Sequence, residues 1–307
     1  MTTTIGILTY DSTGSYQSHL LAAMQTAAPP DVQFIIHSSL RDGIPDSDVF
    51  EDIPVHGVIV IANAASPEVL TALQARGIPL SLVSHEMRQW AIPSLRFNNE
   101  DGMIQLVRHL VQDCGRRRLA FVRGIPEQID AKEREAAFAE AVLPYAPRLT
   151  APIFLKGDFD AATAVESITR LLASSPEVPI DGVIAADDVM AAAIVKALRV
   201  MGIAVPQQIA VAGFGSVDDS DTESVTTVRA DVGALGRRAL AQLLHQIRGY
   251  PMRGVTTLSV NLQITGSTQA GIATVGAFHF SAKYARHGTG GNVGFQRADI
   301  RRGDNVS

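Results

Sequence analysis

The sequence predicts an α/β protein made of two parallel-sheet lobes, and three observations carry that expectation. Apolar runs of strand length alternate with amphipathic runs of helix length from Thr4 to Thr265. Hairpin signals are nearly absent between them, so successive strands are joined by helical crossovers and run parallel. The alternation starts afresh at Leu119 after a polar stretch, giving two series of about five strands each. The expected boundaries are 4–98 plus 229–250 for the first lobe and 103–227 plus 254–268 for the second. Residues 269–307 form a tail rich in Gly, without sustained periodicity and with more Lys and Arg than Asp. That composition reads as a disordered segment or a linker.

Each element has its own justification. TIGILT (Thr4–Thr9) is a first strand, and YDSTGS (Tyr10–Ser15) is a loop of turn formers. Tyr16–Ala28 follows as a helix with Leu20, Leu21, Met24 and Ala27 on one stripe. VQFIIH (Val32–His37), HGVIVIA (His56–Ala62) and PLSLVS (Pro79–Ser84) are the next strands, with 41–52 as a loop. Pro67–Arg76 is a helix that Gly77 ends. A short strand at Leu95–Asn98 leads into the polar NNEDG and an amphipathic helix, Met103–Asp113. In the second series LAFVR (Leu119–Arg123) and PIFL (Pro152–Leu155) are strands. Lys132–Leu143 and Ala161–Ala173 are helices. After Arg229 come a helix at Val232–Arg248 and one strand-like segment, Thr256–Thr265. Polar segments near 98–102 and 226–231 are the expected crossings between lobes.

The most informative unit is Asp181–Arg229. GVIAA (Gly182–Ala186) and IAVAG (Ile209–Gly213) are fully apolar, as strands buried on both faces are. Val189–Met201 between them is a helix stopped by Gly202, which completes a βαβ unit. The ligand side of such a unit is the carboxyl end of its strands, where Asp187, Asp188, Gly215 and Ser216 stand. One of the two acids caps the helix and the other faces a crevice.

Bulk properties remove several function classes. The 307 residues are 46% hydrophobic and 19% charged, enough for a sizeable core. A net charge of −5 gives no electrostatic reason to expect nucleic-acid contact. The single cysteine, Cys114, excludes an intramolecular disulfide and reads as an inert thiol. The start, MTTTIGILTY, lacks the regions of a signal peptide, and no apolar run is long enough to span a membrane. A cytoplasmic location without membrane contact is therefore expected. Motifs for nucleophilic, phosphate-binding or metal chemistry are missing. GTGGNVG (Gly288–Gly294) follows no strand, and the eight His lack metal-ligand spacing. No catalytic residue, metal or cofactor is expected.

Several segments, in order, resemble the ligand-binding core of the LacI/GalR transcription regulators and the type I periplasmic sugar-binding proteins. IGILTYDSTGSYQSHL resembles that family's first strand and ligand loop. HLVQDCGRRRLAFVRG is similar to its helix-Gly-His-Arg-Arg-strand signature, with Arg116 where His is usual. EREAAFAEAV resembles its R-x-A-G-F segment, with Ala137 in place of the Gly, and GDFD its cleft aromatic. DDVMAAAIVKALRVMGIAVPQQIAVAGFG resembles its N-D-x-x-A…V-P-x-D-I-x-V-x-G-F-D stretch, and TTVR and LQITGST its last crossover and final strand. The likeness runs from about Thr4 to Thr268. It implies two Rossmann-like lobes joined by three crossovers, a small polar ligand between them, and a homodimer. The residues before Thr4 are too few for the helix-turn-helix of the family's regulators. The resemblance thus implies sensing, with no direct nucleic-acid contact by this chain.

Carried over residue by residue, the cleft would be lined by Asp11, Ser15, Tyr16, Ser84, His85, Arg134, Phe159, Asp187 and Gly215. Carboxylates and Arg suit the hydroxyls of a sugar, polyol or nucleoside, and aromatics cover its apolar face. The plain alternatives are an Asx-turn or helix cap for Asp11 and a helix staple for Tyr16. For Arg134 the alternative is a solvated face, and for Phe159 ordinary core. The motif favours Asp187 over Asp188 as the ligand-facing acid. Gly215 departs from the family, which has an acid or amide there. Losing one charge-assisted bond weakens a sugar by on the order of 1.5–3 kcal/mol. Asp218 or Asp219, further along the loop, is the expected substitute. The leading expectation is an effector sensor that acts by hinge closure. An input domain of a cyclase or histidine kinase, a solute-binding protein for transport, and an α/β enzyme are the competing ones.

Overall fold

The computed structural model describes residues 2–85, 92–174, 179–215 and 225–269. Two six-stranded sheets form, each sandwiched between helices. The first contains β1 (Thr3–Thr9), β2 (Val32–Ser38), β3 (Gly57–Ile61), β4 (Leu80–Val83), β5 (Ser94–Phe97) and β11 (Val255–Leu258). The second contains β6 (Leu119–Val122), β7 (Ile153–Leu155), β8 (Gly182–Ala185), β9 (Ala210–Phe214), β10 (Thr226–Arg229) and β12 (Asn261–Gln263). Their orders, β2-β1-β3-β4-β5-β11 and β7-β6-β8-β9-β10-β12, are the same pattern written twice. All pairings are parallel except β10 with β12. In both sheets the order reverses beside the first strand, and that switch point opens a crevice at the carboxyl ends.

Alternation along the strands explains the layers. In β1, Ile5 and Ile7 face α1 (Ser15–Ala27) and α8 (Val232–Ile247), joining Leu20, Met24, Leu235 and Leu243 in one core. Leu8, with Val58 and Val60 of β3, joins the opposite core, which α3 (Pro67–Ala75) closes with Val69, Leu70 and Leu73. In the second sheet, α4 (Asn99–Arg108) and α5 (Ile129–Val142) cover one face. The other is covered by α6 (Ala161–Ala173) and α7 (Asp188–Val200). Phe121 of β6 stacks on Phe138 of α5 with ring centroids 4.9 Å apart. At Gly213 a side chain would meet the backbone of Asp188 at 2.8 Å, so this glycine lets α7 lie close on β9.

The chain crosses between the sheets three times: from β5 into α4, from β10 into α8, and from β11 into β12. Several expectations change here. Thr256–Thr265 is two strands, and the segment 254–268 is shared between the lobes. Val255–Leu258 pairs with β5 of the first sheet, while Asn261–Gln263 turns antiparallel onto β10 of the second. Thr226–Arg229, read as part of a crossing, is a strand whose Thr226 and Val228 are buried, so the crossing shortens to 230–231. The helix expected at Met103–Asp113 begins earlier, because Asn98 caps it by accepting from the Asp101 N–H, and its last turn, His109–Asp113, widens to a π-turn. The loop at 41–52 starts inside a four-residue helix, α2 (Ser39–Asp42). Among the described residues no helix is long and apolar enough to cross a membrane. The tail beyond Gln269 and the acids Asp218 and Asp219 lie outside the described residues.

Candidate functional site

The sequence-derived site residues all stand at or just beyond the carboxyl ends of strands, or on the helices that follow them. In the first lobe, Asp11 follows β1 and closes an Asx-turn: its Oδ1 accepts from the Thr13 N–H at 2.8 Å and the Thr13 hydroxyl at 2.7 Å. Those bonds hold its carboxyl below the usual range. Ser15 opens α1, and its carbonyl accepts from Ser18 and His19. The Tyr16 hydroxyl lies 3.1 Å from Ser84 Oγ, beyond β4. Ser84 is buried and held at a φ of 47°, a left-handed conformation that a non-glycine residue adopts only at a cost. His85 is also buried, and its Nε2 is 3.1 Å from the carbonyl of Ala65.

In the second lobe Arg134 is buried, not a solvated surface residue. Its Nε donates to Asn99 Oδ1 at 2.9 Å and its Nη1 to the Ala186 carbonyl at 2.7 Å. The guanidinium carbon lies over the Phe214 ring, 3.9 Å from its centroid. Nη2 has no hydrogen-bond partner among the described residues. Phe159, held at a φ of 54°, lays its ring over Gly124, where any Cβ would come within 2.2 Å of it. Asp187 caps α7 through the Met190 N–H at 2.7 Å. Burial and the neighbouring Asp188 raise its carboxyl, against the pull of the Met190 N–H and Arg134, to about 7.

The two acids therefore divide the work differently from the expected assignment. The residue favoured for ligand contact is the cap, and its second oxygen is what remains for a ligand. Asp188 is buried, and its carboxylate lies 2.7 Å from where a Cβ on Gly215 would sit. The glycine that departs from the family pattern thus stands beside an acid supplied by α7.

Residues from both lobes meet here. Burial lifts the Tyr16 hydroxyl far above its ordinary value; the charge of Asp130 on α5 adds to this, while Ser84 and Arg134 oppose it. Tyr16 thus stays a neutral donor facing the second lobe. Asn63, beyond β3, donates to the Glu127 carbonyl at 2.8 Å. Arg96 of β5 pairs with Glu133 of α5. Sequence reasoning missed Asn99, which is buried and donates to Asp130 Oδ1 at 2.9 Å and Glu133 Oε2 at 2.8 Å. It also missed Arg96, Asp130, Glu133 and Phe214. The polar NNEDG run at the crossing was the only signal for Asn99. Cys114, read as inert, is half-buried; burial raises its thiol, which donates to the Thr268 carbonyl. No group of three metal-ligating side chains occurs among the described residues.

These residues offer carboxyl groups, a tyrosine and a serine hydroxyl, a guanidinium arm with no partner among the described residues, and the rings of Phe159 and Phe214, groups able to bond hydroxyls and cover an apolar face.

The comparisons with known proteins bear on the fold that carries these residues. The family model described as a periplasmic binding protein-like domain matches residues 107–268. The HTH-type transcriptional repressor PurR of Aliivibrio fischeri (strain MJ11) is 26% identical over 205 residues, which are 63% of this chain and 58% of that protein. The chain thus spans less than two thirds of that curated relative. The lac repressor dimer bound to operator and the anti-inducer ONPF has a TM-score of 0.75 at 22% identity, covering 88% of this chain and 95% of that one. The complex of the transcriptional regulator CelR with cellobiose has a TM-score of 0.74 at 21% identity, covering 86% and 84%. These relatives are regulators and not enzymes. The chain belongs to the periplasmic binding protein-like family and is a ligand-binding core of the LacI type.

Proposed function

We propose that this chain is the effector-sensing module of a LacI-type transcriptional regulator. A neutral polyhydroxylated molecule (a sugar, polyol or nucleoside) enters between the lobes, and the lobes close on it. One observation carries the reading: Tyr16 from the first lobe and Asp187 from the second both lie within the field of Arg134, and one arm of its guanidinium has no hydrogen-bond partner among the described residues. The effector acts by binding the closed arrangement more tightly than the open one, which shifts the population between them. The net charge of −5 supports a module that leaves nucleic-acid contact to another part of the protein. A homodimer is part of the proposal, supported by the operator-bound lac repressor dimer.

The test is a thermal-shift screen of the purified chain against neutral mono- and disaccharides, polyols and nucleosides, repeated with Arg134→Lys and Asp187→Asn. A compound that raises the melting temperature of the parent and loses its effect in both variants supports the proposal. Equal shifts in parent and variants would place the ligand elsewhere, and no shift across the panel sinks this ligand class.

A further inference from the structure

Arg134 is steered from outside the cleft. Its Nε is held by Asn99, the first residue of α4, and α4 begins where the chain leaves the first sheet. The Asn99 side chain is engaged at every group: Oδ1 accepts from Arg134, and the amide hydrogens go to Asp130 and Glu133. Glu133 uses its other oxygen on Arg96, a residue of β5 in the first lobe. A continuous run of polar contacts therefore leads from a first-lobe strand through Glu133 and Asn99 to the guanidinium that faces the cleft. Asn99 is 2% exposed, so no water replaces a lost partner cheaply. Rotating the lobes about the crossover moves Arg96 relative to Glu133, and the run transmits that movement to Arg134.

We infer that Asn99 is a positioning residue that couples the orientation of Arg134 to the relative orientation of the two lobes. Arg134 lies over Phe214 when the Arg96–Glu133 contact is made, and it is released when that contact opens. The inference rests on the cleft being the effector site, as proposed above, but the coupling is measurable with no effector present.

The experiment uses the whole chain with Cys114→Ser and spin labels at Ile44→Cys and Lys156→Cys. Both positions are exposed, and they lie beyond the last strands of the two sheets. Inter-label distances are recorded by pulsed electron resonance for the parent, Asn99→Ala, Arg134→Ala and the double variant. The expected result is a shift of more than about 2 Å in each single variant, the size of a domain rearrangement. The double variant is expected to move no further than either single. Arg96→Gln, at the partly exposed end of the run, substitutes for Asn99→Ala if the latter does not fold, with the same expectation. Unchanged distances with a lowered melting temperature would mean that Asn99 only stabilises. Shifts that add in the double variant would mean that the two residues act separately. Either overturns the inference, whereas an effector screen without a hit would overturn only the proposed function.

Discussion

The carboxylate of Asp188 and the bare backbone of Gly215 fit against each other: a Cβ at 215 would lie 2.7 Å from Oδ1 and 2.8 Å from Cγ. The family pattern has an acid or amide following G-F in β9, and here the space is taken by an acid from α7. Gly215→Ala is expected to destabilise by about 1–3 kcal/mol through overpacking. Gly215→Asp should cost more, since it adds a like charge. Combining Gly215→Ala with Asp188→Ala should cost less than the sum of the two single changes, because the clash disappears. Urea midpoints of the three variants check this, and strict additivity would refute it.

Asp187 makes stability depend on pH. An unfolded Asp titrates near 3.9, whereas the folded carboxyl holds its proton to about 7. A raised folded value contributes stability that is fully present below about pH 4 and lost as pH rises to 7. Asn keeps the helix cap without the charge. The melting temperature of Asp187→Asn, relative to the parent, should therefore climb between pH 4 and 7 and level off above. A difference that stays flat across that window would contradict the expectation.

Arg134→Ala removes donors from the buried Asn99 Oδ1 and the Ala186 carbonyl and uncovers Phe214. Each of the two orphaned acceptors costs about 1–3 kcal/mol, so a total on the order of 2–6 kcal/mol is expected in denaturant unfolding. Arg134→Lys keeps the charge but loses the planar fork, and should lose effector binding with less destabilisation. Ligand shifts have to be read against each variant's own melting temperature.

Gly124 and Phe159 form a second tight pair. Gly124→Ala would set a methyl group 2.2 Å from the ring and drive Phe159 out of its place, the position proposed to line the cleft. Overpacking of about 1–3 kcal/mol is expected, together with a larger loss in effector affinity than Phe159→Leu produces. Titration calorimetry with whichever sugar or nucleoside the screen returns decides the order of the two variants.

The dimer prediction is tested on α1 and β2. Between them lies a groove of about 530 Å³, lined by Leu21, Phe34 and Ile36 among others, which are only half-buried. Light scattering should give a dimer for the parent, and Phe34→Glu should shift it toward monomer. A monomeric parent at micromolar concentration removes this part of the proposal.

Much of the architecture was legible because burial on both faces leaves its mark in one segment at a time. GVIAA, IAVAG and GVIVIA contain no polar residue to contradict a central strand, and each contains one. Thr226–Arg229 was harder, since its buried Thr226 is satisfied by Ser267 and Thr268, some forty residues on. The split at Leu258–Asn261 was invisible for the same kind of reason: which sheet a short edge strand joins is decided by its partners. Arg134 itself was found through its motif. Its holders were not, because Asn99 stands 35 residues before it and Ala186 52 after it. Asp187 and Asp188 share one composition and one spacing, and only the Met190 N–H separates cap from neighbour.

All three crossings leave from the edge formed by β5 and β11 in one sheet and β10 and β12 in the other. Strands lie about 4.8 Å apart, so the opposite edges, β2 and β7, sit roughly 24 Å from that spine. The molecule is then a lever with its fulcrum at one margin. A turn of about 10° moves the far edges by roughly 4 Å, and moves Asn63, about three strands out, by roughly 2.5 Å. That is enough to part it from Glu127. Motion too small to break a contact near Arg96 is thus amplified across the strands, and a dimer partner seated on β2 would receive the largest displacement the fold can deliver.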